Sequence, residues 1–109
     1  MKEIDWSSLS FGYMKTDYNV RCWYRNGAWG EIEVSSEETL NIHMAATCLH
    51  YGQEAFEGLK AYRCPDGKVR VFRMDENAAR LQSSCRGIMM PELPIEKFEE
   101  MVTKVVRLN

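Results

Sequence analysis

The clearest pattern in the chain is a two-residue alternation over residues 54–63. One side carries aromatic, basic and small residues (Phe56, Gly58, Lys60, Tyr62), and the other carries Ala55, Glu57, Leu59 and Ala61. A period of two is typical of a β-strand. Because glycine weakens a strand interior, Gly58 indicates either a β-bulge or the close approach of a ligand or another backbone.

Two turns predict two antiparallel hairpins. Asn26-Gly27 separates β-rich runs within residues 18–34, so Tyr24 should lie opposite Trp29. The turn at residues 64–67, Cys-Pro-Asp-Gly, returns the chain into a strand over residues 68–73, whose valines should face a buried side. We assign the first hairpin to the scaffold.

A period of 3.6 residues predicts two helices after the second hairpin. Asp75 is the expected N-cap of the first, which carries an apolar stripe of Ala78, Leu81, Cys85 and Ile88. Pro94 should begin the second, whose apolar face is Ile95, Phe98, Met101, Val102, Val105 and Leu108.

Two segments lack a strong period. Residues 1–17 predict an ordered arm whose Trp6 and Tyr13 pin it to the core. Residues 41–48 predict a strand or extended entry into a turn around Tyr51-Gly52.

Composition limits the class of protein. A chain of 109 residues with 45% hydrophobic content is expected to form one domain with a sizeable core. The net charge of −2 gives no basic field for nucleic acid. Since no signal-peptide core or membrane-spanning run is present, we expect no membrane association and a cytoplasmic protein with four free thiols.

A metal site is not expected. His43, Cys48 and His50 are the only metal-like cluster, and structural zinc requires four ligands in paired short spacings.

Arg80 is the one charged residue with two competing interpretations. Its helical neighbours are small and polar (Asn77, Ser83, Ser84, Gly87), which leaves room for an anion. The alternative is a surface pair with Glu76 at i, i+4, which the residues alone favour.

Three separated motifs taken together resemble the branched-chain amino acid aminotransferases, which are fold-type IV enzymes that use pyridoxal 5'-phosphate. The motifs are FGYMKTDY, LHYGQEAFEGLKAY and VRVFRMDENAARLQSS, in that order. The resemblance runs from about Phe11 to the last residue. It implies an α+β fold, with an antiparallel β-sheet and helices packed against it, as the small N-terminal domain (residues 1–109) of such an enzyme.

The resemblance also implies site residues. Arg80 in FRMDENAARL matches the arginine that binds the cofactor phosphate. Phe56, Phe11 and Tyr51 match substrate-pocket residues, the tyrosine being one that a dimer partner contributes. Lys60 occupies a basic position near that pocket, where the family often has arginine.

No catalytic residue is expected within this chain. The family's Schiff-base lysine lies in a large domain beyond residue 109, and none of the lysines here matches its motif. The resemblance implies that the full-length homodimer moves the amino group of leucine, isoleucine or valine to 2-oxoglutarate. We expect residues 1–109 alone to be inactive and to self-associate.

Two other hypotheses remain open. One is a D-amino acid aminotransferase or aminodeoxychorismate lyase of the same fold. The other is a non-enzymatic module that binds protein partners through the face from Phe56 to Tyr62.

Overall fold

A computed structural model describes residues 3–109, apart from the side chain of Trp6. After a short 3-10 helix at Trp6–Ser8, the elements are β1 (Asn19–Arg25), β2 (Ala28–Ser35), α1 (Thr47–His50), β3 (Ala61–Arg63), β4 (Val69–Val71), α2 (Met74–Gly87) and α3 (Ile95–Leu108). The strands form two separate two-stranded antiparallel sheets. The predicted α+β class is therefore confirmed.

The chain divides into two compact units. The first comprises Met1–Leu40 with Met101–Asn109, and the second comprises Asn41–Glu100. The assignment of residues 1–109 to a single small domain stays a prediction.

The first hairpin has the predicted turn and register. Asn26 and Gly27 both have positive φ, at 52° and 79°, as a type I′ turn requires. Tyr24 lies opposite Trp29, and their rings meet edge to face with centroids 5.2 Å apart. The pairing shifts between Cys22 and Tyr24, where β2 contains one extra residue.

The side chain of Asn109 joins the two sequence-distant parts of the first unit. Its Oδ1 accepts from the Tyr18 backbone N–H at 3.0 Å, and its Nδ2 donates to the Tyr18 carbonyl at 3.0 Å. Nδ2 also donates to the Val105 carbonyl at 2.8 Å. The amide thus links the start of β1 to the end of α3.

We expect Asn109→Ala to lower the free energy of unfolding by about 1–2 kcal/mol, because it removes the partners of two Tyr18 backbone groups. Urea unfolding of the chain measures this change. Asn41→Ala, at an exposed position, is the control and should stay within about 0.5 kcal/mol. Equal effects of the two substitutions would contradict the linking role of Asn109.

The second hairpin also forms at the predicted turn. Gly67 has a φ of 82°, and the Asp66 carboxylate accepts from the Lys68 N–H at 3.0 Å. Tyr62 pairs with Arg70. The predicted buried side does not form, because all of β3 is exposed, Val69 retains 44% exposure and Val71 is only half-buried.

Two boundaries differ from the sequence predictions. Residues 41–46 contain no strand, and the chain instead forms the single turn α1. Helix α2 begins at Met74, one residue before the expected cap, so Asp75 lies in its first turn and Arg73 occupies the N-cap in a left-handed conformation. An acidic residue in the first turn still interacts favourably with the helix dipole.

Helix α3 follows its predicted pattern. The Phe98 N–H donates to the Pro94 carbonyl at 3.0 Å, which places the proline at the helix start. Phe98 is buried, and the other residues of the predicted apolar face are half-buried.

The core is smaller than the composition predicts. Among the residues whose side chains the structure describes, only Ala78, Cys85 and Phe98 are buried as whole residues, main chain included. Tyr13, expected to pin the arm, is 80% exposed, and its hydroxyl donates to Glu38 at 3.0 Å. The side chain of Trp6 lies outside the described part. Within residues 3–109 no helix is long and apolar enough to cross a membrane.

The thiols and imidazoles make local contacts. All four cysteines are free. The Nδ1 atom of His43 accepts from the Ala45 N–H at 3.0 Å, and Nε2 of His50 lies 2.6 Å from the Met44 carbonyl oxygen. No group of three or more metal-ligating side chains occurs among the described residues.

Candidate functional site

The alternation over residues 54–63 appears in the structure as alternating exposure. Phe56, Gly58 and Lys60 are exposed, whereas Ala55, Glu57 and Leu59 are half-buried. Only the end of the run, β3, is paired with another strand. The run therefore has two distinct sides although most of it is not hydrogen-bonded into a sheet.

Glu57 and Arg80 form the best-defined polar cluster on this run. Arg80 Nε donates to both carboxylate oxygens of Glu57, at 3.0 and 2.9 Å, and Nη2 donates to Oε1. The Asn77 amide donates to the same Oε1 at 2.8 Å and to the Gly58 carbonyl at 3.2 Å. Helix α2 thus brings two side chains, one turn apart, onto residues 57–58.

The two charges of this pair lie in different surroundings. The Glu57 side chain is 6% exposed, and that of Arg80 is 67% exposed. Hydrogen bonds from Arg80, and then from Asn77, hold the pKa of the Glu57 carboxyl below its usual value, against a smaller opposing effect of burial. Glu57 in turn raises the pKa of Arg80. The guanidinium therefore remains charged and keeps most of its surface in solvent.

We expect the contribution of Glu57 to stability to depend on pH with a defined sign. Because its folded-state pKa lies below the ordinary 4.5, the stabilisation is complete above about pH 4.5 and is lost as the pH falls through the folded value. Urea midpoints of the wild type and Glu57→Gln, compared from pH 7 downward, measure this. The difference between the two proteins should shrink with acid, and a constant difference would contradict the pairing.

The predicted surface pair of Arg80 with Glu76 is wrong. Glu76 pairs with Arg73 at 2.8 Å, while Arg80 pairs with Glu57, 23 residues away in sequence. The neighbouring Ser83 and Ser84 are exposed, as expected for an open position. Within residues 3–109 the Nη1 atom of Arg80 has no hydrogen-bond partner. This arrangement suits an anion, because a guanidinium matches phosphate oxygens and stays charged.

Phe56 and Lys60 lie on the exposed side of the run, whereas Glu57, which binds Arg80, lies on its half-buried side. Phe56 is 81% exposed. The structure brings Phe56 next to Gly58, where an added Cβ would lie 3.6 Å from the Phe56 ring, an ordinary contact. Gly58 has no strand partner, so a β-bulge does not explain this glycine. The close approach of a ligand or another backbone to Gly58 stays a prediction.

Tyr51 lines a shallow cleft in the second unit. The cleft is about 380 Å³ in volume, and its walls are Thr47, Tyr51, Gly52, Gln53 and Ile88. The Gln53 amide crosses it, accepting from the Thr47 hydroxyl at 2.7 Å and donating to the Ile88 carbonyl at 2.9 Å. Tyr51 itself is 84% exposed. The predicted turn at Tyr51-Gly52 is present, with Gly52 at a φ of 62°.

Phe11 belongs to the first unit and is 99% exposed. The predicted site residues of the second unit are therefore Tyr51, Phe56, Lys60 and Arg80, each with an exposed side chain. Their roles toward substrate or cofactor stay predictions.

Sequence reasoning missed Glu57 and the function of Asn77. A signal for Glu57 was available: the alternation placed a carboxylate on the same side as Leu59 and Ala55. A carboxylate on a side that becomes buried needs a cation or several donors. Its partner could not be found from local spacing, because Arg80 lies on a helix beyond the second hairpin.

Curated relatives match the whole chain. The branched-chain-amino-acid aminotransferase of Haemophilus influenzae is 45% identical over 109 residues, which are 100% of this chain and 32% of that protein. The enzyme of the same name from Helicobacter pylori is 43% identical, again over 100% of this chain and 32% of its own length. Over its whole length the chain is therefore similar to enzymes that carry the name branched-chain-amino-acid aminotransferase.

The similarity covers only part of each relative. The chain spans about a third of the length of these relatives. Branched-chain-amino-acid transaminase 1 of Bacillus subtilis is likewise matched over part of its length, with 42% identity over 96% of this chain and 30% of that protein. No family model matches the chain.

Proposed function

We propose that this chain is the N-terminal small domain of a branched-chain amino acid aminotransferase. The whole protein would move the amino group of leucine, isoleucine or valine to 2-oxoglutarate with pyridoxal 5'-phosphate. The observation that carries the proposal is the 45% identity, over every residue of the chain, to a protein of that name.

Arg80 is the residue we assign to the cofactor phosphate. Its guanidinium is charged, largely exposed and fixed at Nε and Nη2 by Glu57, and the remaining N–H groups, two on Nη1 and one on Nη2, suit donation to a phosphate dianion. When bound, pyridoxal phosphate supplies the electron sink for amino-group transfer. The contribution of this chain is to bind and orient the phosphate end.

The aromatic residues would serve the substrate. Phe56 and Phe11 expose nearly complete rings, which suit the apolar side chain of a branched amino acid once other parts of the protein cover them. Tyr51 is equally accessible, as a residue contributed to a dimer partner's site would be. Lys60 is exposed on the same side of the alternation as Phe56 and would supply positive charge near the same pocket.

Steady-state kinetics of the whole natural protein test the proposal. We expect kcat/KM for L-leucine with 2-oxoglutarate to exceed that for D-alanine. A preference for D-alanine would indicate a D-amino acid aminotransferase. Pyruvate released from aminodeoxychorismate would instead indicate the lyase. No observation on this chain favours either alternative or the protein-binding module.

The 109-residue chain alone should not transfer amino groups. In our proposal the Schiff-base lysine and the residue that pairs with the cofactor ring belong to another domain. Absorbance titration with pyridoxal phosphate should therefore give no stable lysine adduct. A stable adduct would show that one of these lysines is reactive and would contradict the domain assignment.

We also expect the 109-residue chain to self-associate. Phe56, Tyr62, Phe72 and Met89 of the second unit are each more than half exposed, and apolar surface of this kind tends to be covered by a partner. Sedimentation velocity over a range of concentrations measures the association. A strictly monomeric chain at the highest concentration would contradict it. Homodimerisation of the whole enzyme and its cytoplasmic location stay predictions.

A further inference from the structure

We infer that Glu57 is a positioning residue for Arg80, and that it orders the guanidinium in advance of phosphate binding. The inference rests on the proposed function, because it assigns a role to a neighbour of the proposed phosphate ligand. Glu57 would touch neither cofactor nor substrate and would act through Arg80.

The geometry around the carboxylate supports this role. Arg80 presents Nε and Nη2 to Glu57 as a fork, with Nε at 3.0 and 2.9 Å from the two oxygens. Both carboxylate oxygens are therefore used by one guanidinium edge. Rotation about the last side-chain bonds of Arg80 would break at least one of these contacts, so the remaining nitrogen, Nη1, stays in one orientation.

Glu57 is itself held in place. Its side chain is 6% exposed, and Asn77 donates to its Oε1 at 2.8 Å while also donating to the Gly58 carbonyl. A carboxylate fixed by a side chain of the same helix that carries Arg80 restricts the arginine more than a solvent-exposed partner would. The pair of Arg86, on the same helix, with Glu92, in the segment after that helix, provides the comparison, since both of its side chains are well exposed.

Glu57 has two opposing effects on a bound phosphate. Its negative charge repels the anion, while its fork removes the rotational freedom that Arg80 would otherwise lose on binding. The first effect is weakened because Arg80 and Asn77 both donate to the carboxylate. Ordering a long side chain costs about 0.5–1.5 kcal/mol, or roughly 3- to 10-fold in affinity. We therefore expect positioning to outweigh repulsion.

The test compares pyridoxal 5'-phosphate with pyridoxal, which lacks the phosphate, in the whole natural protein. The dissociation constant of pyridoxal divided by that of pyridoxal 5'-phosphate reports phosphate recognition and does not depend on turnover. Glu57→Gln should lower this ratio by roughly 3- to 10-fold, the cost of ordering Arg80 during binding, and should leave pyridoxal affinity unchanged. Glu92→Gln, which removes the carboxylate that pairs with Arg86 of α2, should change neither value.

The outcomes separate a failure of the positioning role from a failure of the proposed function. If the wild type prefers the phosphate form and Arg80→Ala loses that preference, an unchanged or higher ratio in Glu57→Gln would overturn the positioning role alone. Equal loss of affinity for both compounds in Glu57→Gln would assign Glu57 a purely structural role and also overturn it. A wild type with no preference for the phosphate form would overturn the proposed function and this inference together.

Discussion

Arg80→Ala in the whole natural protein should weaken the binding of pyridoxal 5'-phosphate by roughly 10- to 100-fold. Hydrogen bonds to charged groups contribute about 1.5–3 kcal/mol each, which corresponds to this range. The expectation follows from a guanidinium that is charged, 67% exposed and held at one edge by Glu57. Equilibrium dialysis of the apoenzyme against the cofactor measures the change.

Two further variants show whether the loss is specific. Arg80→Lys keeps the charge but cannot form the fork, so its affinity should lie between those of the wild type and Arg80→Ala. Arg86→Ala removes an arginine of the same helix that pairs with Glu92 at 2.6 Å, and it should bind the cofactor normally. An equal loss in Arg80→Ala and Arg86→Ala would assign the effect to general surface charge.

Phe98→Ala should lower the free energy of unfolding by about 3 kcal/mol, since it removes a large side chain from a buried site and leaves a cavity. Phe98 is the only aromatic side chain among the buried residues that the structure describes, so little remains to compensate for its loss. Urea unfolding of the chain measures the change, with constant slope indicating an unaltered folded state.

Matched variants identify burial as the cause. Phe98→Leu largely conserves volume and should cost less than about 1.5 kcal/mol. Glu100→Ala, at an exposed position on the same helix, should stay within about 0.5 kcal/mol. A loss in Phe98→Ala no greater than that in Glu100→Ala would mean that this core does not stabilise the chain.

Local chemistry made much of the fold predictable. The Asn26-Gly27 turn predicted a hairpin because both residues had to accept positive φ, and both do. The turn closed by Gly67 and the helix begun after Pro94 follow the same logic, since each depends on neighbouring residues only.

The wrong predictions concern burial and element boundaries. These features depend on residues far away in the sequence or on groups outside this chain. Burial of β3 and β4 was inferred from apolar residues such as Val69, yet exposure depends on what covers them. The N-cap at Arg73 displaced Asp75 because the turn out of β4 ends in a left-handed residue, which composition does not indicate. Residues 41–46 form no strand and the short helix α1 follows at Thr47–His50, since propensity over so few residues is a weak guide.

The candidate site was predictable only where local sequence determined it. The resemblance selected Arg80, and the small neighbours on its helix indicated open space around it. The ion pair with Glu57 spans 23 residues and a complete hairpin, so no periodicity within either element contained it. The alternation nevertheless placed Glu57 on the same side as Ala55 and Leu59, and its side chain is 6% exposed in the structure.

The most direct test of the central claim follows the amino nitrogen itself. The whole natural protein is incubated with ¹⁵N-labelled L-leucine, 2-oxoglutarate and pyridoxal phosphate, and the glutamate formed is analysed by mass spectrometry. We predict ¹⁵N-labelled glutamate, formed much more slowly by Arg80→Ala at limiting cofactor. No labelled glutamate from the wild type with leucine, but labelled glutamate when ¹⁵N-labelled D-alanine replaces leucine, would contradict the assignment.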